Sequence, residues 1–424
     1  MPAASLLGTV HAGRAGERAG SPRPIGERIA IYRNRRGMSQ TVLAGLVGRS
    51  ESWLSQVERG VRGVDRISVL IHMAKALRIE LTELVGQSFS SGSGDDAHDY
   101  AQAAAIRVAL TDTRGVRAVG GLDGEQPDLD ALDTAVRELQ IAYQAARYVA
   151  AGEMAATLIW RSQDAASSAS GGDRRRAVVR LSAVYASTAA LLSRVGEGSL
   201  AWVAADRTIS SARSANDPEL IAVGLHRLAQ ALLRTGRVDD AHRIATAAEA
   251  DLATAAPSSA SATSVRGALL LTAAAAAARG NDPRENLLLL RHARELADAL
   301  GEDRNDHYIP FGPTNVAIHT VSSAVELGDA ADAIRQAEWV QLDRLSAALA
   351  GRRSQLHLDL AWAYGQQHND PAAVFSLIEA ERIAPEALRY DVGSRELLRT
   401  CLRRERRTAV PGLRQLATRL GIIG

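Results

Sequence analysis

The sequence predicts an all-α protein: a small basic N-terminal domain of five short helices, followed by a long array of stacked helix pairs. Three observations carry that prediction. Of 424 residues, 46% are hydrophobic but only 4% aromatic, and Ala and Leu fill most apolar positions, the composition of packed helices rather than strands. Residues 23–86 hold ten Arg and one Lys against five Glu and one Asp, a net +5 inside a chain whose formal net charge is +2. From residue 129 onward, Gly-polar breaks recur between Ala-rich segments, with glycines at 152, 196, 236, 280 and 328 spaced by 44, 40, 44 and 48 residues.

The opening 24 residues, MPAASLLGTVHAGRAGERAGSPRP, lack a sustained apolar stretch and read as a disordered tail rather than a signal peptide. In the first helical pattern, IGERIAIYRNRRG, Ile25, Ile29 and Tyr32 share one face, and Arg28, Arg33, Arg35 and Arg36 fall on the polar side. Ser39 is placed to N-cap the second helix, whose Val42, Leu43, Leu46 and Val47 are expected to point inward. Ala44 is small where two helices cross, and Gly48 stands where the chain must stop and turn through a left-handed conformation. Ser50 then caps a third helix, ESWLSQVERG, in which Leu54 and Val57 supply the inward stripe.

That stripe leaves Glu51, Ser52, Ser55, Gln56 and Arg59 outward or on the flank. Small polar side chains let a helix backbone come close to base edges in the major groove. Gln and Arg bond bases or phosphates, and helix N-termini favour phosphate oxygens. Arg62 and Arg66 follow, placed to neutralise backbone charge. Trp53 is large for such a face and reads as core in preference to a contact with a thymine methyl group.

The order Ser39-Gln40, Leu43-Ala44, Gly48, Ser50, Leu54-Ser55 and Glu58-Arg59-Gly60 resembles the DNA-binding domain of the Xre/Cro-repressor-like helix-turn-helix family over residues 25–85. The resemblance implies that Gln40 braces against a phosphate and the recognition helix. It also implies that residues 50–59 enter the major groove, with Glu51, Ser52 and Ser55 reading base edges. The expected DNA-binding set is therefore Gln40, Arg49, Ser50, Glu51, Ser52, Ser55, Gln56, Arg59, Arg62 and Arg66.

The stretch GQSFSSGSGDD at 86–96 has linker composition, a short helical pattern lies at 100–110, and a second loose stretch covers 114–128. These features divide the chain into a tail at 1–24, a helix-turn-helix domain at 25–86, a linker at 87–128 and a repeat domain at 129–424. Turn signals in the last recur at RYVAAGEMA, RVGEGSLAW, RTGRVDDA, ARGNDPRE, ELGDAADA and QQHNDPAA. One helix pair cannot bury its own apolar face, so such a repeat means an α-solenoid of stacked pairs, with a plain bundle as the alternative. Tetratricopeptide units run at about 34 residues, so these longer units are tetratricopeptide-like. The best match is WAYGQQHNDPAAVFSLIEAERIAPE at 362–386. The wider chain also resembles large actinobacterial regulators that join the two kinds of domain, through LAWVAADR, FGPTNVAIH and the terminal LRQLATRLG.

Stacked pairs curve around a concave groove, which suits a peptide, small-molecule or protein effector. The irregular DHYIPFGPTN interrupts the helices, and Asn315 and His319, four apart, share a face. In the peptide-sensing regulators that this region resembles, an inner-face Asn clamps a peptide backbone. The alternative is that Asn315 caps its helix and His319 is a satisfied groove histidine. Tyr308, Asn315 and His319 are the expected effector contacts.

Nucleotide-binding, zinc-protease and dinucleotide motifs are missing, so no catalytic residue, metal site or cofactor is expected. Acid pairs such as Asp239-Asp240 sit at helix starts, where carboxylates favour the dipole. The single Cys401 reads as a buried thiol, and the absence of an apolar run of about 18 residues points to the cytoplasm. The sequence thus predicts a DNA-binding transcription regulator, a homodimer on double-stranded DNA with an effector in its C-terminal groove. The alternative is a helical-repeat adaptor in which DNA binding is secondary.

Overall fold

The computed structural model describes residues 25–64, 67–77, 100–111, 128–256, 259–405 and 410–423. The tail over 1–24, a fifth helix before residue 86, most of the 87–128 linker and Arg66 lie outside the described residues. Among the described residues there are twenty α-helices, and the only β pairing is one isolated bridge between Arg304 and Phe311.

Four helices form the N-terminal domain: α1 (Ile25–Arg35), α2 (Gln40–Leu46), α3 (Glu51–Glu58) and α4 (Ile67–Leu77). Ser39 and Ser50 act as N-caps, their hydroxyls accepting from Val42 N and Trp53 N. Gly48 adopts φ 66°, the left-handed turn required between α2 and α3. Ile29, Leu43, Ala44, Val47, Trp53, Leu54 and Val57 close one core with Val69, Leu70, Met73 and Leu77 of α4. Two residues expected inside are outside: Val42 is 52% and Leu46 59% exposed. A seven-residue helix makes barely two turns, and the core takes only its Leu43 and Ala44 together with the capping Val47. At Gly26, α1 comes so close to α3 that an added Cβ would lie 2.0 Å from the Val57 carbonyl oxygen.

Helix α5 (Ala103–Thr111) falls in the stretch expected as linker, yet it is built into the repeat core. Tyr100, just before it, is buried and donates its hydroxyl to the Tyr148 carbonyl at 2.6 Å. Six helix pairs follow: α6 (Leu129–Gln144) with α7 (Tyr148–Ser168), α8 (Gly171–Arg194) with α9 (Gly198–Ser214), and α10 (Pro218–Arg234) with α11 (Val238–Ala255). Next come α12 (Ala260–Arg279) with α13 (Pro283–Leu300), α14 (Pro313–Leu327) with α15 (Ala330–Ala337), and α16 (Ala350–Gln366) with α17 (Asp370–Ile383). Short α18 (Pro385–Arg389), α19 (Val392–Arg404) and α20 (Leu413–Arg419) end the array.

The turn inside each pair carries one left-handed residue: Ala146, Gly196, Gly236, Asn281, Gly328 and His368. Two of the glycines used to read the period are therefore not the left-handed residues. Gly152 lies inside α7, packed so tightly that a Cβ would meet the Tyr100 hydroxyl at 1.9 Å. Gly280 has ordinary helical geometry, and the neighbouring Asn281 makes the turn. Asp217 and Asp282 cap α10 and α13, each with Pro at the first helical position, where its missing N–H costs nothing.

The first helix of each pair packs on the first helix of the next, and α16 comes back to pack on α6. The array therefore closes into a ring. Closure is sealed by Val149 N donating to Glu386 Oε2 at 2.8 Å, and reciprocal Gln144–Asn305 side-chain hydrogen bonds at 2.7 and 2.9 Å tie α6 to the loop after the fourth pair. Tyr390 adds edge and tilted ring contacts to Tyr100 and Tyr148. The core is lined by fully buried alanines such as Ala201, Ala204, Ala205, Ala273, Ala274 and Ala276, small side chains that permit close helix packing. Helix α12 is the one described helix long and apolar enough to cross a membrane by length and composition, and 72% of that stretch is buried within the fold. Phe375, part of the best repeat match, is 64% exposed. Cys401 is fully buried, and burial pushes its thiol up to about 12.

Candidate nucleic-acid interface and repeat-domain groove

The polar face of α3 is held from behind by one carboxylate. Glu58 accepts Arg33 Nε and Nη2 at 2.6 and 2.9 Å and Gln40 Nε2 at 2.7 Å, while Arg33 Nη1 donates to the Met38 carbonyl at 2.8 Å. The Glu58 side chain is only 6% exposed and that of Arg33 12%. Their hydrogen bonds hold the Arg33 guanidinium above its ordinary pKa. Paired, bidentate and nearly dry, this ion pair is of the strong kind. Gln40 is thus placed to brace α3 through Glu58. At the other end of α3, Thr41 Oγ1 donates to the Glu51 carboxylate at 2.7 Å and ties α2 to the start of the helix.

With its back fixed, α3 leaves Ser50, Glu51, Ser52 and Arg59 exposed and Ser55 and Gln56 half-buried. Glu51, Ser52, Ser55 and Arg59 form one stripe at helical spacing. Arg59 folds along its own helix, Nε donating to the Ser55 carbonyl at 3.2 Å. Arg49 is half-buried and stands over the Trp53 ring, 5.5 Å from its centroid, a cation–π contact. Trp53 itself is 8% exposed and belongs to the domain core. Arg62 is exposed on the loop after α3. Arg49, Trp53, Arg62 and Val69 also border a crevice whose far wall is Gly328, Ala330 and Gln366 of the repeat domain. The Arg33–Glu58 lock and Thr41 were not read from the sequence. Their signal is a carboxylate at the very end of a helix otherwise surrounded by Arg.

In the ring, Asn315 is buried and both ends of its amide are used. Nδ2 donates to the Pro310 carbonyl at 2.7 Å, and Oδ1 accepts Arg352 Nε at 2.9 Å. It does not cap α14; the Asp303 carboxylate does so, accepting from Thr314 N at 3.0 Å. His319, half-buried on the same face, is held far below its ordinary pKa by burial, then by Arg352, His226 and Arg194. Tyr308 is left-handed at φ 55°, and its carbonyl accepts Arg227 Nη2 at 3.4 Å. The loop bearing Asn305, Tyr308 and Phe311 thus touches α6, α10 and α12. Phe311 seats against Gly267, where a Cβ would lie 1.9 Å from the ring.

A helix-turn-helix unit joined to a ring of tetratricopeptide-like helix pairs defines the class of protein. Residues 24–85 match the family described as the helix-turn-helix domain, so the N-terminal segment is a domain of that family. The chain is 43% identical over 60 residues to the HTH-type transcriptional regulator SlrR of Bacillus subtilis (strain 168), a stretch covering 14% of this chain and 40% of that protein. The chain therefore spans less than half the length of this curated relative. Among solved structures, it is similar to aspartyl phosphate phosphatase F from Bacillus subtilis, at 11% identity and TM-score 0.43, covering 90% of this chain and 98% of that one. A Rap protein complexed with competence and sporulation factor matches at 11% identity and TM-score 0.45, covering 86% and 100%. Bacillus thuringiensis PlcR in complex with the peptide PapR7 and DNA matches at 14% and TM-score 0.29, covering 65% and 95%.

Proposed function

We propose that the protein is a cytoplasmic, sequence-specific transcription regulator that binds double-stranded DNA through residues 25–86 and is controlled through its repeat domain. The observation that carries this reading is the braced polar face of α3. Glu51, Ser52 and Ser55 project from a helix whose rear is fixed by the Arg33–Glu58–Gln40 network and by buried Leu54 and Val57. A helix held so rigidly can present short polar groups to base edges at a low ordering cost on docking. The net +5 of residues 23–86 supplies the sequence-independent attraction to phosphates. In this reading Arg49, Ser50, Gln56, Arg59, Arg62 and Arg66 contact or attract the backbone, and two copies bind paired half-sites. The helical ring from α5 onward is the effector-responsive part, with Tyr308, Asn315 and His319 on its inner wall.

Fluorescence anisotropy of labelled genomic DNA fragments with the full chain tests the first half of the proposal. Affinity should fall steeply as salt rises from about 50 to 200 mM, and one fragment class should survive competition. Equal competition by all fragments would reduce the domain to a nonspecific DNA clamp.

A further inference from the structure

Several shielded guanidiniums elsewhere among the described residues have a carboxylate. Arg33 has Glu58, Arg266 has Glu249 at 2.7 Å, Arg279 has Glu326 at 3.1 Å, and Arg404 has Asp370 at 3.1 Å. The interior of the ring differs. Arg194 on α8, Arg227 and Arg234 on α10, and Arg352 on α16 form no ion pair among the described residues. Their protein partners are neutral: Arg194 Nη1 donates to Gln355 Oε1 at 3.0 Å, Arg227 Nη1 to Gln230 Oε1 at 3.1 Å, and Arg352 Nε to Asn315 Oδ1 at 2.9 Å. The first of these bonds joins α8 to α16 past the intervening α6, so it crosses the ring interior. Arg227 Nε, Arg352 Nη2 and His226 Nδ1 are buried with no hydrogen-bond partner, and Arg227 and His226 are only 6% and 3% exposed. The nearby Asp359 gives its carboxylate to Ser322 and Gln355 instead.

Burial and the like charge of Arg194 push Arg352 down to about 10, and Arg194 is also the leading like charge on Arg234, while Arg194 itself, against its burial, is raised by Tyr148, Tyr143 and Asp391. Asp359 near Arg352 and Asp391 near Arg194 and Arg234 set two carboxylates against four guanidiniums without forming an ion pair to any of them, whereas buried charges are ordinarily paired. Arg234 is exposed and Arg194 and Arg352 are half-buried, so a dissolved ion can reach the cluster. Guanidinium forks match planar or tetrahedral oxyanions through two-point hydrogen bonds. The site is walled by helices, which suits a compact anion and excludes a duplex.

We propose that the ring interior binds the carboxylate or phosphate group of a small anionic effector, held by Arg194, Arg227, Arg234 and Arg352. This rests on the effector-binding reading of the repeat domain and names the chemistry of its ligand. Asn315 then acts as the residue that aims Arg352, and the 3.4 Å bond to the Tyr308 carbonyl steadies Arg227.

Thermal unfolding of the full chain in sodium pyrophosphate or trisodium citrate, against sodium chloride at equal ionic strength, tests the site. A rise in Tm of roughly 5 °C over the chloride control is expected at saturation. Pyrophosphate exceeding citrate identifies a phosphate site, and the reverse a carboxylate site. The rise should vanish in the Arg227→Gln, Arg352→Gln double variant. Should that variant not fold, Arg234→Gln alone decides: relieving like-charge repulsion should raise Tm without added anion and blunt the anion response. Tm following ionic strength alone, or Arg234→Gln lowering Tm, would overturn the proposal. DNA affinity measured with and without the anion separates the two readings. An anion-dependent Tm with unchanged DNA affinity keeps the site and removes effector control, while no Tm response removes the site and leaves DNA binding by residues 25–86 intact.

Discussion

Glu58 at the end of α3 and Arg33 on α1 meet in a two-point ion pair at 2.6 and 2.9 Å, and Gln40 at the start of α2 joins the same carboxylate. One side chain therefore locks three helices and fixes the direction in which α3 presents Ser52 and Ser55. Removing one partner of so shielded a pair leaves the other charge stranded. Glu58→Ala should cost about 3–5 kcal/mol of N-terminal domain stability, read as lost hydrogen-exchange protection in α3. DNA affinity should fall, and discrimination between sequences should weaken with it. Unaltered protection would show that the pair does not hold the helix.

Side chains on the exposed stripe should behave differently. Ser52→Ala and Ser55→Arg should change which bases are preferred, by about 1–3 kcal/mol of discrimination per contact. Arg62→Ala should weaken all sequences equally and flatten the salt dependence by about one unit of slope. Gel-shift competition with a base-scanned panel reads both. A uniform loss from the two Ser changes would remove them from base readout.

Tyr100 fits over α7 only because residue 152 has no side chain. Gly152→Ala should push the ring away and break the 2.6 Å bond from Tyr100 to the Tyr148 carbonyl. A loss of about 1–3 kcal/mol is expected from overpacking, with α5 becoming accessible to limited proteolysis. A wild-type cleavage pattern would mean that α5 docks without that contact.

Asp359 is 8% exposed, and burial raises its carboxyl to about 6 despite hydrogen bonds from Ser322 and Gln355. A folded pKa above the unfolded one means that the folded state holds the extra proton. Its contribution to stability therefore falls as pH rises from about 4 through 6 and stays lost above that. Asp359→Asn should remove this slope and stabilise the protein at pH 7 by roughly 2–3 kcal/mol. The wild-type minus variant difference in Tm between pH 4.5 and 7.5 reads it, and a difference independent of pH would sink the assignment.

The serine caps and the Gly48 turn were legible because they depend on neighbours within four residues. So was the inward Leu54–Val57 stripe. Val42 and Leu46 were misplaced because a two-turn helix has too few positions to define a face against a partner not yet known. Gly152 shows a second limit: a glycine marks either a turn or a close approach, and spacing alone does not separate them. Helix α5 was legible as a local pattern at 100–110, but its place in the repeat core was not, because linker-like sequence lies on both sides. The Arg33–Glu58 lock, the return of α16 to α6 and the meeting of Arg194 with Gln355 join residues far apart in sequence. They depend on how much each pair rotates relative to the last, which no local pattern encodes.

Selection of randomised double-stranded DNA by the full chain at about 0.15 M salt, followed by sequencing, goes straight to the proposed function. One inverted repeat should emerge, its half-sites about one helical turn, roughly 34 Å, apart, and the same selection with Ser55→Arg should return a different half-site. Retained DNA that is indistinguishable from the input pool would contradict sequence-specific regulation by α3.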